Sequence, residues 1–307
     1  MFTMNRVAVF AHYDKDNHIE PYVVYYIKEL KKVTDYIVFV SDCNLENSML
    51  KKLNGIVDKT IAQRHGEYDF GSYKRGYLYL KNNGLLKNCS ELILANDSFF
   101  GPLIPFQKIW VKMNGKACDS KNVHNGDKGR DNGKTCDFWG ITQYTDKTTS
   151  LHIQSYFLVF KKQVFSSAIF DKFMKSVKKE STKMNVVYKY EIGLSQLLIS
   201  KGFVPRVYSN CLMEAACLPY LIYRYEIPFI KTMIVKNNFR WLSSYVLKRL
   251  WLLNNTAYDI NLILRYALKY KSQNMVRKIK NLKRAIIRFK KGAVYICGRE
   301  IKMIREH

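Results

Sequence analysis

The chain has 307 residues, 48% of them hydrophobic, which is enough apolar material for one large domain with a real core and argues against a disordered chain. Its formal charge is +26, and residues 226–307 carry 19 Lys and Arg against four acids, so most of the excess sits at the C-terminal end. The seven Cys form no CxxC pair and share no ligand spacing with the six His, which excludes a zinc finger and points to incidental thiols in a reducing compartment.

In chain order, "RVAVFAHYD" (6–14) predicts a buried strand, followed by an amphipathic helix in "PYVVYYIKELKKV" (21–33) with Pro21 in its first turn. "DYIVFVSD" (35–42) predicts a second strand, "NLENSMLKKLNG" a short helix stopped by Gly55, and "IVDKTIAQR" (56–64) a third strand. This βαβαβ order implies a parallel sheet with right-handed crossovers. "RHGEYDFGSYKRGY" (64–77) then leads into a helix, and "SELILANDSFFGP" (90–102) is a strand that runs out into polar residues.

Residues 114–135, rich in Gly, Asn, Asp and Lys, predict a long loop. Two strands follow at 136–143 and 151–162, then a helix over 163–178, a helix in "YEIGLSQLLISKG" (190–202) and a last strand in "FVPRVYS". The fold class is therefore α/β, with a domain over 1–225 and a basic, mainly helical region over 226–307. Within that region, "NMVRKIKNLKRAIIRFKK" (274–291) places Val276, Ile279, Leu282 and Ile286 on one helical face among Lys and Arg. Such a helix suits an anionic membrane surface.

Ligands of open α/β sheets gather beyond the carboxyl ends of the strands. The residues there are His12 and Asp14, Asp42, Arg64, and Asn96, Asp97 and Ser98, so three strands bring a carboxylate to one rim. Gly66 and Gly71 permit close backbone approach, Asp69 is placed to contact a ligand or cap the helix, Phe70 to anchor the turn, and Lys74 with Arg75 to offer charge to a phosphate; Glu67 has no evident task. On the later strands, His152 with Gln154 and Asp137 with Trp139 share faces. A ring beside polar groups suits a sugar, whose C–H faces stack while its hydroxyls need partners, although the same residues also hold strands together in many cores.

Four blocks, "HGEYDFGSYKRG", "ILANDSFFGP", "DFWGIT" with "HIQSYFLVF", and "YEIGLSQLLISKGF", resemble in order and spacing the rhamnan synthesis protein F family of polysaccharide glycosyltransferases. The resemblance covers roughly residues 6–230 and departs in the 114–135 insertion. It implies a GT-A-like, Rossmann-related fold and transfer of a sugar, typically a deoxyhexose such as rhamnose, from a nucleoside diphosphate donor to a growing cell-surface glycan. A looser resemblance to large inverting GT-A glycosyltransferases implies that Asp97 holds a metal or the diphosphate and that Glu191 is the catalytic base. Tyr190 stands where a first acid of that pair would be, and Asn-Asp-Ser replaces Asp-x-Asp, so a need for Mg²⁺ or Mn²⁺ is left open.

His12, Asp14, Asp42, Arg64, Gly66, Asp69, Gly71, Lys74, Arg75, Asn96 and Ser98 are then candidates for the donor site, and Asp137, Trp139, His152 and Gln154 for the acceptor site. The expected partners are a nucleotide sugar, a glycan acceptor, lipid-linked if the basic tail lies on membrane, and no nucleic acid. A nucleic-acid-binding protein and a non-catalytic scaffold of the same fold are the alternatives. The expected location is cytoplasmic, at the inner face of the membrane: the chain starts straight into a strand without a signal peptide, and no apolar run reaches about 18 residues.

Overall fold

A computed structural model describes residues 5–114, 136–145, 149–211, 224–237 and 258–269, the single residues Ile222 and Thr256, and the backbone of 293–296 and 299–302. The 114–135 loop beyond Asn114 and the 274–291 helix expected from the sequence lie outside the described residues.

The first half follows the predicted alternation. Strands β1 (Arg6–His12), β2 (Tyr36–Ser41), β3 (Lys59–Ala62) and β4 (Glu91–Asn96) alternate with helices α1 (Pro21–Lys31), α2 (Asn47–Leu50) and α3 (Tyr68–Asn82). Further along are β5 (Phe99–Phe100), α4 (Phe106–Asn114), β6 (Phe138–Gly140), β7 (Gln143–Tyr144), β8 (His152–Ile153) and β9 (Phe157–Lys161). Then come α5 (Lys162–Phe165), α6 (Ala168–Ser176), α7 (Lys183–Val186), a π-helical turn (Val187–Ile192), α8 (Gly193–Ser200), β10 (Pro205–Val207) and β11 (Ile230–Lys231).

Seven described strands form one sheet in the order β10-β6-β9-β4-β1-β2-β3. β9 runs antiparallel to both β4 and β6, and every other pairing is parallel. β1 lies inside the sheet between β4 and β2, and Val7 to Ala11 are buried on both faces, as a run covered by helices on either side must be. This is the mixed α/β, mostly parallel architecture with flanking helices that the sequence predicts.

One face carries α1, α4 and an aromatic cluster in which Trp110, Trp139, Phe106, Phe157 and Phe229 pack at ring separations of 5.2–6.2 Å. Ile222, Phe229, Ile230, Tyr258, Ile263 and Tyr266 belong to that same core, so the described residues on both sides of the 225/226 boundary share it. The other face carries α3, α6 and α8. α3 comes close to β1 because Gly76 has no side chain: a Cβ there would lie 2.3 Å from Val9 Cγ1.

Several expected elements are shorter or divided. The strand expected over 151–162 splits into β8, which pairs with β7, and β9, which joins the main sheet. Between them the chain turns to meet two neighbours: Gln154 N–H donates to the Thr142 carbonyl, and the Tyr156 carbonyl accepts from Asn96 N–H. The helix expected from Tyr190 begins instead at Lys183, where the Thr182 side chain caps Asn185 N–H. The 163–178 helix breaks into α5 and α6 because the Ser167 hydroxyl caps a new start at Phe170 N–H.

Candidate functional site

The parallel strands end on one rim, and β9, being reversed, presents its beginning there: Ala95 of β4 stands opposite Phe157. The segment 152–155, just ahead of β9, is thereby brought beside the ends of β1 and β4.

Two carboxylates, Asp69 and Glu191, stand near enough at this rim to repel each other. Asp69, in the first turn of α3, accepts a hydrogen bond at Oδ2 from Asn96 Nδ2 (2.9 Å). Burial raises its pKa to about 6, against the pull of the Lys183 ammonium and with repulsion from Glu191. The residue as a whole is only partly buried. Glu191 projects from the π-helical turn, a local widening that recurs at functional sites. Its Oε2 accepts from the Ser155 hydroxyl (2.6 Å), its Oε1 lies 3.4 Å from His152 Nε2, and 21% of its side-chain surface is open. The Ser150 carbonyl accepts a hydrogen bond from His152 Nδ1–H (2.9 Å), and Nε2 is the nitrogen turned to Glu191. Glu191 therefore lies in mid-helix, with its carboxylate between the Ser155 hydroxyl and the His152 ring.

Asp97 lies at the switch point between β1 and β4, where the chain leaves in opposite directions. Its Oδ2 accepts from Tyr13 N–H (3.0 Å), and its carbonyl accepts from the buried Tyr22 hydroxyl (2.9 Å). The adjacent His12 is buried, and desolvation lowers its pKa to about 4, so it is a neutral imidazole and its 3.7 Å approach to Asp97 is not an ion pair. Its Nε2 donates to the His18 carbonyl and its Nδ1 accepts from Ser41 Oγ.

The remaining rim carboxylates shape loops. Asp42 does not cap α2, whose N-cap is Glu46; its Oδ1 instead accepts Gly66 N–H (2.8 Å) and His65 N–H, holding the turn after β3. Asp14 Oδ1 accepts from Asp16 and His18 N–H, closing its own loop. The turn itself is left-handed at Gly66 (φ 68°) and again at Tyr68 (φ 57°), a bulky residue for which this conformation stores strain of about 1–3 kcal/mol. That strained turn leads directly into Asp69 in the first turn of α3. Ser98 contributes backbone: its N–H donates to Asn96 Oδ1, and its carbonyl accepts from Thr232.

The phosphate-binding cations expected from sequence are already engaged. Lys74 donates to the Val177 carbonyl (2.6 Å), and Arg75 forms a two-pronged pair with Glu67 (2.9 and 3.1 Å), which gives Glu67 its task. Gly71 lies beneath this pair, where a Cβ would meet Glu67 Cβ at 2.2 Å. Phe70 is buried against Tyr73, Phe173 and Tyr190, as an anchor should be.

Cations without carboxylate partners come from elsewhere. Lys179 lies over Gly66, its Nζ 3.7 Å from where a Cβ would stand, and Lys183 acts on Asp69; both are exposed and make no ion pair among the described residues. Arg64 is exposed at the rim, its guanidinium 5.9 Å from the ring of Tyr13, itself half exposed. In the sequence, Lys179 and Lys183 sit in a polar connection with no motif around them, and Ser155 sits inside what reads as a strand.

Two of the four acceptor candidates are misplaced. β6 starts at the opposite rim, where Asp137 binds Val204 N–H and Gln163, so its carboxylate is at the far end of the sheet from Glu191. Trp139 is 2% exposed within the aromatic core. Gln154 is not in a strand with His152; its Oε1 accepts from Thr142 Oγ1 (2.7 Å).

A single carboxylate such as Asp97, together with phosphate oxygens of a bound nucleotide, is the way these residues would hold a Mg²⁺ or Mn²⁺ ion. Among the described residues no three His, Cys, Asp or Glu side chains are grouped to hold one, and Asp69 is directed to an amide N–H.

Residues 37–296 match the rhamnan synthesis protein F family, most of the chain's length. The chain belongs to that family. Among curated proteins none is similar enough to count as a relative. Among solved structures it is similar to a cytidylyltransferase from Leptospira borgpetersenii serovar Hardjo-bovis, at 9% identity and a TM-score of 0.37, covering 66% of this chain and 76% of that one. It is also similar to a glycosyltransferase involved in glycosylation of the major capsid of PBCV-1, at 7% identity and a TM-score of 0.34, covering 82% and 100%. Core-mannan synthase A from Aspergillus fumigatus, in its Mn/GDP form, is similar at 10% identity and a TM-score of 0.29, covering 55% and 63%. Likenesses this distant carry no argument about activity. Among the described residues no helix is long and apolar enough to cross a membrane.

Proposed function

We propose that the protein is a glycosyltransferase that moves a sugar, rhamnose or a related deoxyhexose, from a nucleoside diphosphate donor to a growing cell-surface polysaccharide, with inversion. The observation that carries this reading is Glu191, held by Ser155, beside His152 and near enough to the Asn96-bound Asp69 to repel its charge. Membership of the rhamnan synthesis family supports polysaccharide synthesis as the setting.

In this mechanism Glu191 takes the proton of an acceptor hydroxyl while the hydroxyl oxygen forms a bond to the anomeric carbon. The bond from that carbon to the diphosphate breaks, and the electron pair leaves with the nucleoside diphosphate. Arg64, Lys179 and Lys183 are the cations available to neutralise the leaving group. Tyr13 and Asp97, at the β1–β4 switch point, bind the nucleoside, and Asp69 hydrogen-bonds the donor sugar.

Purified Glu191→Gln, assayed for sugar transfer from nucleoside diphosphate sugars, should lose activity by a factor of about 10²–10⁴ while its affinity for nucleoside diphosphate stays within twofold. Retention of full transfer by this variant refutes the assignment.

A further inference from the structure

The turn between β3 and α3 is built around the ring of His65, whose side chain is 3% exposed. Its Nδ1 accepts from Glu67 N–H (3.0 Å), so this nitrogen carries no hydrogen, and Nε2–H is the one given to the buried Ser72 hydroxyl (3.0 Å). A side-chain acceptor for the N–H two residues on is the geometry of an Asx turn, which Asn and Asp ordinarily make. Here a nitrogen that titrates takes their place.

The charged groups that act on the ring are Arg75 of α3, Asp42 just after β2 and Glu67 of the turn itself, while Lys179 stands over the adjacent Gly66. Burial and the Arg75 charge lower the His65 pKa below the ordinary 6.5, against the pull of Asp42 and Glu67, so the ring is neutral at pH 7. Asp42 Oδ1 already holds the His65 and Gly66 N–H groups, and its Oδ2 lies 3.7 Å from Nδ1, close but not bonded.

A proton from solvent on Nδ1 would set two N–H groups against each other across 3.0 Å. Asp42 Oδ2 is then the acceptor at hand, and closing its gap to about 2.8 Å makes a charge-assisted bond. Glu67, the N-cap of α3, loses the partner of its N–H beside the left-handed Tyr68, two residues before Asp69. We propose that protonation of His65 is a switch: the ring leaves Glu67 N–H for Asp42, the first turn of α3 loosens, and Asp69 parts from Asn96. His65 is thereby a positioning residue for Asp69. In making donor binding the step so regulated, the inference rests on the transferase reading; the movement of the turn does not.

Hydrogen exchange of the full chain, corrected for the intrinsic rate at each pH, compares residues 66–70 with β1 from pH 8 to pH 4. In wild type the 66–70 amides should exchange at least about tenfold faster at the acid end, with a midpoint below 6.5, while β1 keeps its protection. Asp69→Asn, which removes the neighbouring carboxyl, should retain this transition. His65→Asn, whose Oδ1 holds Glu67 N–H at any pH, should abolish it. No transition in wild type, or one that survives His65→Asn, overturns the proposal. If His65→Asn fails to fold, the ring ¹⁵N signals of wild type decide: Nδ1 must gain its proton at the midpoint of the exchange transition, and titration elsewhere overturns the proposal. Sugar transfer by the same samples separates the two readings. Transfer at pH 8 without an exchange transition leaves the transferase standing and removes the switch; a transition abolished by His65→Asn, with no transfer from any nucleoside diphosphate sugar, does the reverse.

Discussion

Replacing Asp69 by Asn should stabilise the protein at neutral pH while disabling it. Burial holds this carboxyl's pKa at about 6 instead of the ordinary 3.8. A shift of about two units, at ~1.36 kcal/mol each, corresponds to about 3 kcal/mol between its two protonation states. Because the folded-state pKa is the higher one, the folded protein binds more protons between these values, and stability falls as pH rises from about 4 to about 6. Below that window both states are protonated and nothing is lost; above it the full cost is present. Asn resembles the protonated form and still accepts the Asn96 hydrogen bond. Urea unfolding at intervals from pH 4 to pH 8 should show equal stability for wild type and Asp69→Asn at the acid end and a gap approaching about 3 kcal/mol at pH 7. A gap that does not change with pH, or a variant less stable than wild type at pH 7, refutes the reasoning. Sugar transfer should be lost in the variant, as expected where a site keeps a carboxylate that folding disfavours.

Gly76→Ala forces a methyl group into Val9 and should cost about 1–3 kcal/mol by thermal or chemical unfolding, whereas Gly84→Ala, at an open turn, should act only through its left-handed backbone. Glu91, buried at the start of β4, is pushed up by burial but held below the usual range by hydrogen bonds from Lys161, Trp110 and Arg6. Its contribution is present above the ordinary Glu pKa and lost as pH falls through the lower folded value, so Glu91→Ala should cost about 3–5 kcal/mol at pH 7, less in acid, by the same unfolding assay. Lys179→Ala with Lys183→Ala should weaken nucleoside diphosphate binding at least tenfold at low salt with a smaller salt dependence than wild type, while Lys74→Ala should lower the melting temperature with little effect on that affinity; calorimetry across salt concentrations reads both.

The βαβαβ opening was legible because buried parallel strands read as apolar runs and helices as amphipathic ones, so Val7–Ala11 and Ile37–Val40 declare themselves. The rim followed from that: once strand ends are located, Asp97 and Asp69 fall near them. The acceptor side was not legible in the same way. Asp137 and His152 look alike as polar residues beside aromatic strands, and only the direction of β9 and β6 decides that one is at the site's rim and the other at the far end.

By itself, then, the amino-acid pattern determined the fold class and the strand ends, which depend on local periodicity; Glu191 was named only through the family resemblance, and Asp69 only as one donor candidate among eleven. Tertiary structure alone decided which charges are spoken for. Lys74 is tied to the Val177 carbonyl and Arg75 is paired with Glu67, whereas among the described residues Lys179 and Lys183 make no ion pair, because such contacts are settled by what folds opposite each side chain. It also decided that "RHGEYDFGSYKRGY" is a strained turn aiming Asp69 at Asn96, a contact 27 residues apart in sequence that no local signal records.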